Sequence, residues 1–290
     1  MAVVLGGKNG IYLASFAGPT PPPVLDPDAV AFLTAAGITD PTIESAINTL
    51  VVDMKTASIW SKMKALYPFV GGTSSTHKWN LKNPLDTDAA FRLQFFGGWT
   101  HSATGAKPNG TNAFANSYLI PSTSLTTDYV SLHYYSRTPG NELLQPNQSN
   151  TVIGVRSDSV TANDTVALQI KNNPNNQVLF FASITGTTTN NFARYIETTG
   201  TGLFSGALTA SNSKVYKNGV NLTILNISYS RNTPNKVMYI GAINGKDLGA
   251  IEYSLRESAF AGIADTLTDT ETANLYTAVQ AFNTTLGRQV

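Results

Sequence analysis

From Tyr129 onward the chain repeats one pattern, a short run of β-branched and aromatic residues followed by a cluster of Asn, Gly, Pro or Thr. Residues 129–137 alternate, with Val130, Leu132 and Tyr134 on one face and Ser131, His133 and Tyr135 on the other, the period of an extended strand. Similar runs occupy 151–155, 166–170, 178–184, 192–196 and 237–240, separated by turn-forming stretches such as Asn172-Asn-Pro-Asn-Asn176. Short strands so spaced, with no helical pattern between them, predict an antiparallel sandwich rather than βαβ units. The sharpest local signal is Val215-Tyr-Lys-Asn-Gly-Val-Asn-Leu222. Asn218-Gly219 between strand-like flanks predicts a type I′ hairpin, whose two central residues both need positive φ.

Three zones follow. Residues 1–27 read as an extended arm, because Pro21, Pro22 and Pro23 lock φ and remove backbone donors. Met1-Ala-Val-Val-Leu5 has no basic lead-in and is broken by Gly6-Gly7 and Asn9-Gly10, which argues against a signal peptide. Residues 28–70 read as a helical subdomain. Asp26-Pro27 and Asp40-Pro41 each supply an N-cap followed by proline at the first helical position. Val30, Leu33 and Ala36 form one stripe, and Ile43, Ile47, Leu50 and Met54 a second, placed to pack on the main domain or on a partner helix. A third turn is expected at Trp60 and Met63, stopped by Pro68. Residues 71–290 read as a jelly-roll sandwich closed by a helix with a Thr268-Asp-Thr-Glu271 capping box and a Leu275, Val279, Phe282, Leu286 stripe.

Composition narrows the function. With 19 Lys+Arg against 18 Asp+Glu the net charge is +1, so the chain lacks an electrostatic footprint for nucleic acid or an anionic membrane. No apolar run is long enough to span a bilayer. Cysteine is absent, which excludes disulfides, thiolate zinc sites and cysteine nucleophiles.

The series Lys214-Val-Tyr-Lys-Asn-Gly-Val220, Met238-Tyr-Ile-Gly-Ala242, Phe260-Ala-Gly-Ile263 and Leu267-Thr-Asp-Thr-Glu271 with Leu275-Tyr276 resembles the laminin-G/concanavalin-A-like family. The resemblance covers roughly residues 112–282 and implies a mostly β, two-sheet jelly-roll sandwich; it says little about function. A second set of segments is Phe32-Leu-Thr-Ala-Ala-Gly-Ile-Thr-Asp-Pro41, Leu66-Tyr-Pro-Phe-Val-Gly-Gly72, Gly97-Gly-Trp-Thr-His101 and Gln280-Ala-Phe-Asn-Thr-Thr-Leu-Gly-Arg-Gln-Val290. These are similar to virion structural proteins of tailed bacteriophages. That resemblance implies a particle component assembled in the bacterial cytoplasm, with other virion proteins and further copies of itself as partners.

Enzyme chemistry is hard to find in the residues. Of the six glutamates, Glu44, Glu142, Glu197, Glu252, Glu257 and Glu271, none has an Asp two residues away on a strand, so the paired carboxylates of a retaining glycanase are missing. His77, His101 and His133 lie far apart, and no nucleophile elbow or phosphate loop occurs. No cofactor is expected. The laminin-G/concanavalin-A-like resemblance implies calcium as the ion to look for, with Asp86 and Asp88, and then Asp158 and Asp164, as candidate oxygen ligands; Asp-rich turns also form for local reasons alone. Sugar binding needs an aromatic ring beside amides and hydroxyls. Trp99, His101 and Asn112 in Gly-rich loops, with Tyr135, are the candidate glycan-binding residues. Packing between the helical zone and the sandwich is the commoner use of large aromatics such as Trp99 and Trp79. The expectation is a non-enzymatic phage virion protein, tail-associated or fibre-type, anchored by its arm and contacting bacterial surface glycan. The alternatives are a capsid decoration protein and a glycan depolymerase.

Overall fold

The computed structural model describes residues 4–7, 10–13, 24–126, 129–140, 150–157, 165–172, 176–182, 192–209, 212–224, 233–245 and 247–290. Pro21, Pro22 and Pro23, and the loop residues Asp158 and Asp164, lie outside them. Val4–Gly7 and Gly10–Leu13 pair as an antiparallel hairpin, where the sequence suggested only an extended arm.

Two sheets form a jelly-roll-like sandwich. The eight-stranded sheet runs Val220–Asn221, Ser213–Lys217, Gly202–Leu208, Ser131–Ser136, Ser258–Ala264, Gly105–Pro108 and Trp99–Ser102, with Met63–Tyr67 also paired to Ser258–Ala264. The nine-stranded sheet runs Phe192–Ile196, Gln177–Ala182, Thr165–Asn172, Thr151–Arg156, Tyr239–Ile240, Phe114–Asn116 and Gln94–Phe96. Ile243–Gly245 joins it in parallel with Thr151–Arg156 and pairs in turn with Gly249–Ile251. Between the sheets Leu132, Tyr134, Phe204 and Ile263 meet Ile153, Leu168, Phe180 and Ile240 in one buried cluster.

A second cluster lies on the opposite face of the eight-stranded sheet. There Tyr135, Leu203 and Phe260 pack under Phe32, Leu50, Met54, Leu275 and Phe282. These come from the helices Pro27–Ala36, Pro41–Thr56 and Asp269–Thr285, so the fold has three layers: helices, sheet, sheet. Each large side chain buried this way contributes roughly 1.5–3 kcal/mol. Six successive residues from Ser131 to Ser136 are all buried, because that strand has a core on each side. The helix starts follow the caps: Asp26 and Asp40 accept from their first-turn amides, and Thr268 and Glu271 form the reciprocal box. No helix among the described residues is long and apolar enough to cross a membrane.

Two local expectations are corrected. Trp60–Lys62 is a single 3-10 turn and Met63 opens a strand; the long-range pairing of Met63–Tyr67 with Ser258–Ala264 overrides the helical spacing. Val30 is exposed, and the first helix buries Ala29, Phe32, Leu33 and Ala36 instead.

Candidate functional site

Gln94–Phe96 is the last strand of one sheet and Trp99–Ser102 the last strand of the other. Gly97-Gly98 therefore turns the chain from sheet to sheet at one edge of the sandwich. Gly97 has φ +73°, and a Cβ there would lie 2.2 Å from the Asn112 carbonyl oxygen. Two asparagines hold this corner. Asn109 Oδ1 accepts from the amides of Thr111 at 3.0 Å, Asn112 at 3.1 Å and Ala113 at 3.2 Å. Its Nδ2 donates to Asn112 Oδ1 at 2.8 Å, which also accepts from the Gly98 amide at 3.1 Å. Both asparagines are exposed, and the clamp makes no use of Asn112 Nδ2.

Strand alternation then sorts the aromatic residues to two sides of the corner. Phe95, Trp99 and His101 turn toward the space between the sheets. Phe95 meets Trp99 edge-on at 5.2 Å and His101 at 4.7 Å, while Trp99 and His101 lie nearly parallel at 6.2 Å. The Trp99 indole donates to the Phe114 carbonyl at 3.2 Å. Behind His101 stands His77, with the two Nδ1 atoms 2.9 Å apart. On the outer face Phe96 stacks on Phe114 at 4.9 Å and 13°, and Phe114 on Tyr239 at 4.6 Å and 29°. Phe96, on the edge strand, is 39% exposed and forms the open end of this stack. Beside it the Tyr118 hydroxyl donates to Gln94 Oε1, and the Arg92 guanidinium lies 5.6 Å from the Tyr118 ring centroid.

The corner carries little charge. Burial, with His101 and Arg288 acting in the same direction, pushes the His77 imidazole down to about 3. Burial also lowers His101, so both rings are neutral at pH 7. Arg92 is balanced by Asp88 at 2.8 Å and by Asp86 at 3.7 Å. The surface on offer is an aromatic ring with uncharged donors and acceptors around it.

Three of the four glycan-binding candidates thus meet at one place: Trp99, His101 and Asn112. Trp99, however, is half-buried against the inter-sheet core, and Asn112 is partly engaged in holding the corner. Trp79 packs with the helical layer. Tyr135 is a correction: it is fully buried, its hydroxyl donating to Gln280 Oε1 at 2.8 Å, so no ring face is left for a sugar. The calcium candidates are placed against cations of the chain, Asp86 on Lys78 at 2.6 Å and Asp88 on Arg92, and among the described residues no group of three or more His, Cys, Asp or Glu is arranged to hold a metal. The sequence reading missed Phe96, Phe114 and Tyr239. Their strands are two or three residues long, too short for alternation to register, and only the Gln94-Phe-Phe96 doublet hinted at them.

No family model and no curated protein matches this chain. Among solved structures it is similar to a mutant of Trypanosoma rangeli sialidase displaying trans-sialidase activity, at 12% identity over 81% of this chain and 39% of that one, TM-score 0.48. It is also similar to domain 4 of AbnA, an extracellular arabinanase from Geobacillus stearothermophilus, at 14% identity over 74% of this chain and 98% of that domain, TM-score 0.38. The chain spans 38% of the length of Trypanosoma rangeli sialidase. The expectation of a non-enzyme is overturned by these sialidase neighbours and is withdrawn. At such identities and TM-scores the likeness is one of sandwich fold, and no residue role is carried across from it.

Proposed function

We propose that this chain is a glycan-contacting β-sandwich displayed on a tailed-bacteriophage particle, and that the Gly97-Gly98 corner is the contact. The observation that carries the contact is the exposed Phe96 ring, backed by Phe114 and Tyr239, with the exposed Asn109 and Asn112 holding the adjacent Gly97-Gly98 turn. A pyranose offers one apolar C–H face and a rim of hydroxyls. An aromatic ring takes the first, and uncharged amide groups take the second. The two-asparagine clamp fixes these groups before a ligand arrives, which lowers the entropy cost of binding. The particle setting is supported by the resemblance of the four segments at 32–41, 66–72, 97–101 and 280–290 to virion proteins. A tail-associated or fibre position, with the arm as anchor, goes with it.

The contact is tested by retention of the full chain on immobilised polysaccharide extracted from bacterial envelopes. Phe96→Ala, which empties an exposed position and leaves the core intact, is expected to weaken retention by about tenfold, near 1.4 kcal/mol, at an unchanged melting temperature. Equal retention by both proteins would sink the assignment. Reducing ends released from the same beads would add cleavage to binding. For the particle setting, gold-tagged antibody against residues 112–290 is expected at the tail tip or fibres. An even coat over the head would indicate capsid decoration, and particles without gold would overturn the setting.

A further inference from the structure

Resting on the glycan-contact reading, we infer that His77 is a positioning residue that locks His101 as an Nε2–H donor, giving the corner one fixed N–H for a saccharide oxygen. The two Nδ1 atoms are 2.9 Å apart, and between two neutral imidazoles only one of them carries the proton. The environment of His77 decides which. His77 is 1% exposed, and its Nε2 is buried with no hydrogen-bond partner. Were the His77 proton on Nε2, a buried N–H would be orphaned and its Nδ1 left facing the other ring as acceptor. Buried orphan N–H groups are rarer in proteins than buried acceptors with spare lone pairs. The positive charge of Arg288, which acts on His77, also favours a bare lone pair over an N–H dipole. His77 is therefore the Nδ1–H tautomer and donates.

His101 Nδ1 then accepts, and the one proton of neutral His101 sits on Nε2. The ring is held there by Phe95 at 4.7 Å and 84° and by Trp99 at 6.2 Å and 25°. His101 is half-buried, and its Nε2 lies on the edge of the ring away from His77; that edge is the one we assign to the ligand. A ring that can only donate selects for oxygen acceptors, namely hydroxyl, ring or carboxylate oxygens of a saccharide, and disfavours a donor presented at the same point.

Long-range proton–nitrogen NMR of the full chain with 15N-labelled histidine, at neutral pH, tests the tautomers without any ligand. The expected spectrum shows His77 protonated on Nδ1, His101 protonated on Nε2, and a nitrogen–nitrogen coupling across the hydrogen bond. His77 protonated on Nε2, or His101 as an equal mixture of tautomers, would overturn the inference. The ligand half is read on the envelope-polysaccharide beads. His77→Leu is expected to mix the His101 tautomers and weaken retention by about fivefold, the worth of about one hydrogen bond. His77→Asn, which keeps an N–H near the Nδ1 position, recovers most of both effects. Unchanged retention in His77→Leu, alongside a loss in Phe96→Ala, would overturn this inference and leave the glycan contact standing. Failure of the wild-type chain to be retained would sink the glycan reading, while the spectra still decide the tautomers.

Discussion

The phenol of Tyr135 donates to Gln280 Oε1 at 2.8 Å and accepts from the Val290 amide at 3.0 Å, joining the middle of a strand to both the closing helix and the last residue. Tyr135→Phe keeps the ring packing and leaves those two groups without this partner. A loss of about 1–2 kcal/mol is expected from the unmade bonds, read as a lower urea midpoint at unchanged slope. Retention on polysaccharide should not move, because the ring lies between the sheet and the helices, away from the corner. A selective loss of retention would return Tyr135 to the binding site.

Arg288 is the second tie of the C-terminal segment. It is 1% exposed and donates to Pro68 O at 2.6 Å, Phe69 O at 2.8 Å, Ala259 O at 2.9 Å and Asn283 Oδ1 at 2.9 Å. Burial pushes its guanidinium down to about 9, still charged at neutral pH. Arg288→Met removes a fork of donors and strands several buried carbonyls, at a cost of about 3 kcal/mol or more. Arg288→Lys should recover less than half of that, since an ammonium cannot reproduce the planar fork. Full recovery by lysine would mean that charge rather than geometry holds the segment.

Acid should destabilise this chain over two pH ranges. His77 and His133 are buried, and desolvation pushes each down to about 3, whereas in the unfolded chain each takes up a proton near 6.5. Above that value both states are neutral and the histidines contribute nothing to the pH dependence. Below it the unfolded state binds more protons, and each histidine removes up to about 2 kcal/mol by pH 5. Glu197 adds a later step. Burial opposes its ionisation, but Lys217 and the amides of Gly200 and Thr199 hold it down to about 2, so its stabilisation is present above the unfolded carboxylate pKa and is lost as pH falls toward 2. Melting temperature should be level from pH 8 to about 7 and drop from about 6.5 downward. His133→Asn, which keeps a group facing Ser205 Oγ, should remove up to about half of the first step, the rest belonging to His77 and His101. A melting temperature constant to pH 4 would contradict the assignment.

What the sequence made legible was mostly local. Asn218-Gly219 forms the expected turn, with φ of +50° and +76°, because two adjacent residues decide it. Asp26, Asp40 and Thr268 start their helices for the same reason. Met63–Tyr67 was misread because its partner strand lies some two hundred residues away, beyond any spacing rule. Tyr135 shares its residue type and its alternation with a surface aromatic; what buries it is the helical layer built from both ends of the chain. At the corner, the glycines drew attention to Trp99, His101 and Asn112, and these do converge. The exposed ring is nonetheless Phe96, and the histidine behind His101 is His77, twenty-four positions earlier. Alternation in the three-residue strand Gln94–Phe96 cannot reveal the first, and the second comes from the short helix Ser74–His77, brought to His101 by the tertiary fold.

The corner itself can be probed through Gly97. At φ +73° an alanine is disfavoured by roughly 1–2 kcal/mol on backbone grounds alone, and its Cβ would lie 2.2 Å from Asn112 O, a backbone atom. Gly249 serves as the reference, with φ +69° and nothing within 4 Å of its Cβ. Gly249→Ala therefore reports the backbone cost alone, and Gly97→Ala the same cost plus the displacement of Asn112. The expected excess for Gly97 is about 1–3 kcal/mol, the usual range for forced overpacking. Because Asn112 is what receives the Gly98 amide, the relief of that clash must open the clamp and shift Phe96 off Phe114. Retention on polysaccharide should then fall in Gly97→Ala by as much as in Phe96→Ala, and stay at the wild-type level in Gly249→Ala. Equal destabilisation by the two glycine variants, with retention intact in both, would show that the corner yields without moving the aromatic stack, and the pre-set geometry assigned to it would be wrong.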